Sequence, residues 1–255
     1  MRWPLRKLAA LAEIVAVGIA IGVIPLLIGF CPRFLFANRK RFWSQFGGGM
    51  ALGFMMIFFT DLIDDSGGLG ESLGLTMSPT QITLAALFVL GFGVFMMSSL
   101  KGTASPSSIA YFVAAAIGLH ALGEGIVVGS NFVGQMQIEE LSTVIQGLSF
   151  ALHKLLEGFT ISIFFPSNPR LRNVLVAVLL GGIPLLIGIP LGILAYPFIL
   201  ANFLFAAGAG AAVFVILKIT LLIGQNKPDI TTILGFLVGF LIVYVAALIH
   251  FTVLP

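Results

Sequence analysis

The chain is built from unbroken apolar runs of about 20 residues, the length that crosses a bilayer as an α-helix. In hydrocarbon every backbone N–H and C=O must be bonded within the protein, so only helices and closed barrels span a membrane. Barrel strands alternate apolar and polar residues over about 10 positions, and these runs do not. Charged residues make up only 9% of the 255 residues, against roughly 25% in a soluble domain. So few charges cannot cover a globular surface. A soluble enzyme, a disordered protein and a nucleic-acid binder are excluded, leaving an all-α integral membrane protein.

Eight spans are predicted, at roughly 9–30, 46–63, 80–100, 107–130, 139–165, 171–194, 198–222 and 229–253. The loops between them are short, so residues 1–255 form a single transmembrane domain. Arg2, Arg6 and Lys7 before the first run resemble a signal peptide. That run exceeds the usual h-region, and Phe30 before Cys31 is too large for a lipoprotein cleavage site, so the first span is expected to be retained. Cys31 is the one cysteine, which excludes an intrachain disulfide.

Loop lysines and arginines set orientation. With the N-terminus outside, the inner loops hold Arg33, Arg39, Lys40, Arg41, Lys101, Arg170, Arg172 and Lys227. The outer segments then hold only Arg2, Arg6 and Lys7. Both termini are therefore expected outside. Asp64, Asp65, Glu71, Glu139 and Glu140 fall in outer loops or at outer helix ends.

Ionisable residues inside a membrane are expensive and mark function. Span four contains His120-Ala-Leu-Gly-Glu124-Gly125, and span five contains His153-Lys-Leu-Leu-Glu157-Gly158. Both read H-x-x-x-E-G on adjacent antiparallel helices. A spacing of four stacks His and Glu on one helix face. Two such faces can converge as two imidazoles and two carboxylates, a set suited to Zn²⁺, Fe²⁺, Co²⁺, Ni²⁺ or Cd²⁺ rather than Mg²⁺ or Ca²⁺. The glycine after each glutamate removes a side chain where helices pack closely. The plainer alternative is a local His–Glu hydrogen bond in each helix.

These residues and the topology resemble the ZIP (Zrt/Irt-like) family of divalent metal transporters. Thr60-Asp61-Leu62-Ile63-Asp64-Asp65 is similar to that family's span-two segment, and Ala209-Gly210-Ala211-Ala212-Val213-Phe214-Val215 to its span-seven segment. The resemblance implies a three-plus-two-plus-three bundle with an inverted pseudo-repeat. It also implies metal ligands at His120, Glu124, His153 and Glu157. The family's second metal uses positions that here read Ala121, Lys154 and Ile183. None of these can bind a cation, so one metal is expected. Lys154 is expected to act as a tethered cation in place of the second metal, paired with Glu124 and Glu157, unless it snorkels to water. Lys218 stands where an acid is frequent. Gly123 and Leu156 replace prolines that kink the helices of many relatives.

Asp61, Asp64 and Asp65 are weaker candidates for an outer cation path, as are Gln146 and Ser149, which share the face of His153. The leading expectation is a secondary transporter, not an enzyme, moving a divalent metal (zinc foremost, with Fe, Mn, Co, Ni or Cd as alternatives) into the cytosol. The metal is substrate and no cofactor is expected. The partners are the metal ion and the lipid bilayer, a homodimer is compatible, and nucleic acid is not a partner. The compact loops point to the plasma membrane. Two other classes stand beside this one. One is a non-transporting relative with a locked His–Glu–Lys site. The other is an intramembrane zinc-dependent hydrolase, against which H-E-x-x-H is absent.

Overall fold

The computed structural model describes residue 13 and residues 15–35, 43–67, 79–100, 106–134, 140–166, 169–195, 198–225 and 227–252. Among these residues the regular structure is helical, with no strand. We number the helices α1 (Val15–Phe34), α2 (Gly48–Gly67), α3 (Pro79–Leu100), α4 (Pro106–Gly134), α5 (Glu140–Ile163), α6 (Leu171–Ala195), α7 (Phe198–Gln225) and α8 (Ile230–Thr252). Six of them, α1, α2, α3, α4, α6 and α7, are long and apolar enough to cross a membrane. In α8 the apolar stretch that qualifies is the shorter Ile230–Val245. Arg39, Lys40, Arg41, Lys101, Glu71 and Glu139, used above for orientation, lie outside the described residues.

Local chemistry explains several helix ends. Pro79 and Pro106 open α3 and α4; proline suits a first helical turn, where its missing N–H is not needed. Asp229 caps α8, its Oδ1 accepting from Thr231 N at 2.9 Å and Thr232 N at 3.3 Å. Lys227 adopts a left-handed backbone (φ 50) after α7, the conformation that stops a helix at its C-terminal end.

Two features differ from the sequence expectation. The π-helical stretches Ile19–Val23 and Trp43–Gly47 were not foreseen. The first lies just before Pro25, whose ring nitrogen cannot donate an i→i−4 bond. In addition, α2 and α4 run beyond the predicted 63 and 130, to Gly67 and Gly134. Asp64 and Asp65 sit in the last helical turns of α2, at a helix end as the sequence allowed.

The helices pack as two groups. In one, α1 packs on α5 and α4 on α6; in the other, α2 packs on α8 and α3 on α7, with α2 also against α7. A contact of α4 with α7 as broad as that of α2 with α7, and smaller contacts of α5 with α8 and α2, join them. Glycines bring backbones together inside each group. A methyl group added at Gly125 would sit 2.9 Å from Gly188 Cα on α6, and one at Gly158 would sit 2.7 Å from the Leu26 carbonyl carbon on α1. The glycine after each motif glutamate is thus a point of close helix approach, as its sequence position implied. The site lies where the two groups meet, bordered by the buried Phe58 and Leu62 of α2 and Phe205 of α7.

Candidate metal centre

α4 and α5 present their His–Glu pairs toward one another. Donor atoms of His120, Glu124, His153 and Glu157 all lie within 4.8 Å of one another. His120 Nε2 is 3.0 Å from Glu124 Oε1, and His153 Nε2 is 3.3 Å from Glu157 Oε1. Both are i,i+4 pairs, so the helical repeat itself positions each histidine over its glutamate. The two imidazole centroids are 6.1 Å apart.

Lys154 closes the cluster. Its Nζ donates to Glu157 Oε1 at 2.7 Å and forms an ion pair with Glu124 Oε2 on the facing helix. The lysine is 1% exposed, so it does not snorkel to solvent. It also lies 5.3 Å from the Phe150 ring centroid. An ammonium withdrawn from water needs such carboxylate partners to stay charged.

The cluster remains incomplete. Glu157 is fully buried, yet its Oε2 has no hydrogen-bond partner, and neither does His120 Nδ1. A buried polar atom without a partner costs about 1–3 kcal/mol. A local His–Glu pair engages one ring nitrogen and one carboxylate oxygen, and these are the atoms it leaves over.

Exposure is graded along the bundle. Glu124 and His153, the members nearer the end that carries Gly134 and Glu140, have side chains 14% and 21% exposed. His120 and Glu157, nearer the opposite end, are buried. The two more exposed members of the site are thus those nearer the Gly134 end, and the two buried ones lie toward the other.

Aromatic rings form the walls. Phe58 meets His120 edge-on at 4.9 Å and lies 6.3 Å from His153. Phe54 lies 5.9 Å from His153, and Phe205 lies 5.4 Å from His120. These rings limit where each imidazole can turn. They were missed in the sequence because 24 phenylalanines are spread along it and carry no distinguishing spacing.

The weaker candidates divide. Asp61 is in electrostatic range of His153 and His120, and Asp65 of His120 and Glu124. Asn202 Nδ2 donates to the Asp65 backbone oxygen at 3.0 Å, tying this end of α2 to α7. Asp64 is exposed and neighbours Asp61 and Asp65 instead. The side chains of Gln146 and Ser149 lie outside the described residues. Lys218 is placed elsewhere, its Nζ 5.5 Å from the ring centroid of Phe214, which packs with Phe92, Phe95 and Phe112. Ala121 is buried without a donor atom, and Ile183 is an exposed residue of α6.

No protein-family model matches the chain, and no curated protein sequence matches it.

Proposed function

We propose that the protein is a secondary transporter of the ZIP type, carrying one divalent transition metal, zinc foremost, into the cytosol as substrate. The observation that carries this reading is the convergence of four donors, one from each of two histidines and two glutamates on two helices, within 4.8 Å. Two imidazoles and two carboxylates make a borderline nitrogen–oxygen set, which favours zinc and its neighbours over magnesium or calcium. In this reading all eight helices span the plasma membrane and both termini lie outside. The Gly134 end then faces outward, and Asp61 and Asp65 draw cations toward the opening.

Lys154 adjusts the charge of the site. Two carboxylates and one ammonium leave a single negative charge, so one divalent ion overshoots neutrality by one. Asp61, in range of both histidines, offsets that excess. Binding is accordingly weaker than at a fully acidic two-metal site. Transport follows from movement of the group holding α4 and α5 against the other, which turns the site from one face to the other.

A second reading has its own observation. The Lys154 ammonium bridges Glu124 and Glu157, as it would in a non-transporting relative whose site is locked. Metal influx into dye-loaded proteoliposomes separates the two. We expect saturable influx of Zn²⁺ or Cd²⁺, with Fe²⁺ and Mn²⁺ tested beside them, and its loss in Glu157→Ala. Well-folded protein that passes none of these metals would overturn the transport reading.

A further inference from the structure

α5 continues past the site toward the end where His120 and Glu157 are buried, and Thr160 lies there. Thr160 is three residues beyond Glu157 and seven beyond His153. Seven residues are nearly two whole turns at 3.6 residues per turn, so Thr160 falls on almost the same face as His153. It is 1% exposed.

Hydroxyls in helices commonly back-bond to a carbonyl of the preceding turn. Thr60, Ser66, Thr83, Ser98, Ser162 and Thr220 all do so here, at 2.7–2.9 Å. Thr160 does not. Among the described residues it is the one buried hydroxyl with no hydrogen-bond partner. Even Ser162, two residues further on, is satisfied by Phe159 O. The orphaned atom is therefore specific to the position one turn below Glu157.

Its surroundings exclude an ordinary solvated role. Phe159, Ile161, Ile163, Phe164 and Phe165 on the same stretch are all buried. α5 also packs beside the π-helical stretch Trp43–Gly47 and α8, and between those two Thr232 Oγ1 donates to Gln45 Oε1, both residues buried.

We infer that Thr160 is the next cation ligand inward of the four-residue site, its hydroxyl oxygen receiving the ion from Glu157 when the buried end opens. The inference rests on the transport reading above. A neutral hydroxyl suits this step. It replaces part of the ion's hydration, yet holds the ion too weakly to trap it, as conduction requires. Thr160 contributes to release rather than to resting affinity.

The test compares Thr160→Val, which keeps the shape and removes the oxygen, with Thr160→Ser, which keeps the oxygen. Cd²⁺ is the probe, in proteoliposome influx and in equilibrium binding to the purified full chain. In Thr160→Val we expect the maximal rate to fall about fivefold or more while the equilibrium Kd stays within about twofold, the signature of a group used after binding. Thr160→Ser should keep most of the rate. Thermal melts of both variants report folding, and Thr160→Ala gives a second hydroxyl-free form should the valine variant fold poorly. Wild-type rates in both hydroxyl-free variants would overturn the inference while leaving the transport reading intact, and so would an equal loss in the serine variant. A wild-type protein that neither binds nor passes Cd²⁺ would overturn both.

Discussion

The ammonium of Lys154 on α5 is seated on the carboxylate of Glu124 on α4, so two helices share a charge that neither could bury alone. Glu157 takes the other side of the same ammonium. In the proposed reading, the affinity of the site for a cation depends on how that lysine is held.

Replacing Lys154 should have opposite effects with and without metal. Lys154→Ala leaves two buried carboxylates facing each other, and removing one partner of a buried ion pair costs about 3 kcal/mol or more. The metal-free variant is expected to melt well below the wild type. Added Cd²⁺ should recover the loss, and its affinity should rise by about tenfold or more because a competing charge is gone. Calorimetric titration and thermal melts read both effects. An affinity unchanged within about threefold would remove Lys154 from the electrostatics of the site.

Asp61 and Asp65 are expected to act as nearby charges rather than as ligands. Asp61→Asn and Asp65→Asn should each raise KM for metal influx about two- to fivefold with little change in maximal rate, since a local field concentrates counter-ions near an opening. The effect should shrink as salt is raised from low ionic strength to above the physiological range. Influx measured at two salt concentrations distinguishes this from a direct ligand role, which salt would hardly alter.

The graded exposure predicts which positions a water-borne reagent can reach. In a Cys31→Ser background, which removes the single exposed thiol, Asp61→Cys should react with a membrane-impermeant thiol reagent at least about tenfold faster than Thr160→Cys. Labelling from outside cells or sealed vesicles measures it. Equal rates would mean that the buried end is open to solvent.

Glycine substitutions should sort by their surroundings. Gly158→Ala places a methyl group 2.7 Å from the backbone of α1, and overpacking of this kind costs about 1–3 kcal/mol. Gly93 on α3 has nothing within 4 Å of the same position. Gly93→Ala should therefore be neutral or slightly stabilising, since alanine is the better helix former. Thermal melts of the two variants make the comparison.

Much of the site was legible because it rests on helical repeat. A spacing of four fixes His120 over Glu124 and His153 over Glu157 whatever surrounds them, and Lys154, next to His153, had few places to go except between the two faces. The glycines after the glutamates were legible for a similar reason, since a missing side chain beside a buried charge implies a neighbouring backbone. Thr160 was not legible. Sequence does not tell a hydroxyl that bonds to its own helix from one that does not, and six others in similar helices do bond. The π-helical stretches were hidden as well, because one extra residue in a turn leaves an apolar run looking the same. The reach of α2 to Gly67 depends on Asp65 being tied to Asn202 of α7, a contact between residues far apart in the chain.

The backbone contacts at Gly125 and Gly158 also bear on how the molecule can deform. Where two helices touch backbone to backbone, no side chain lies between them to change rotamer, and one helix cannot slide past the other without a clash. Those pairs behave as welded units. The seam beside the site is made instead of Phe54, Phe58 and Phe205 against His120 and His153, side chains that can turn and resettle. Relative motion is therefore easier along that aromatic seam than across the glycine contacts.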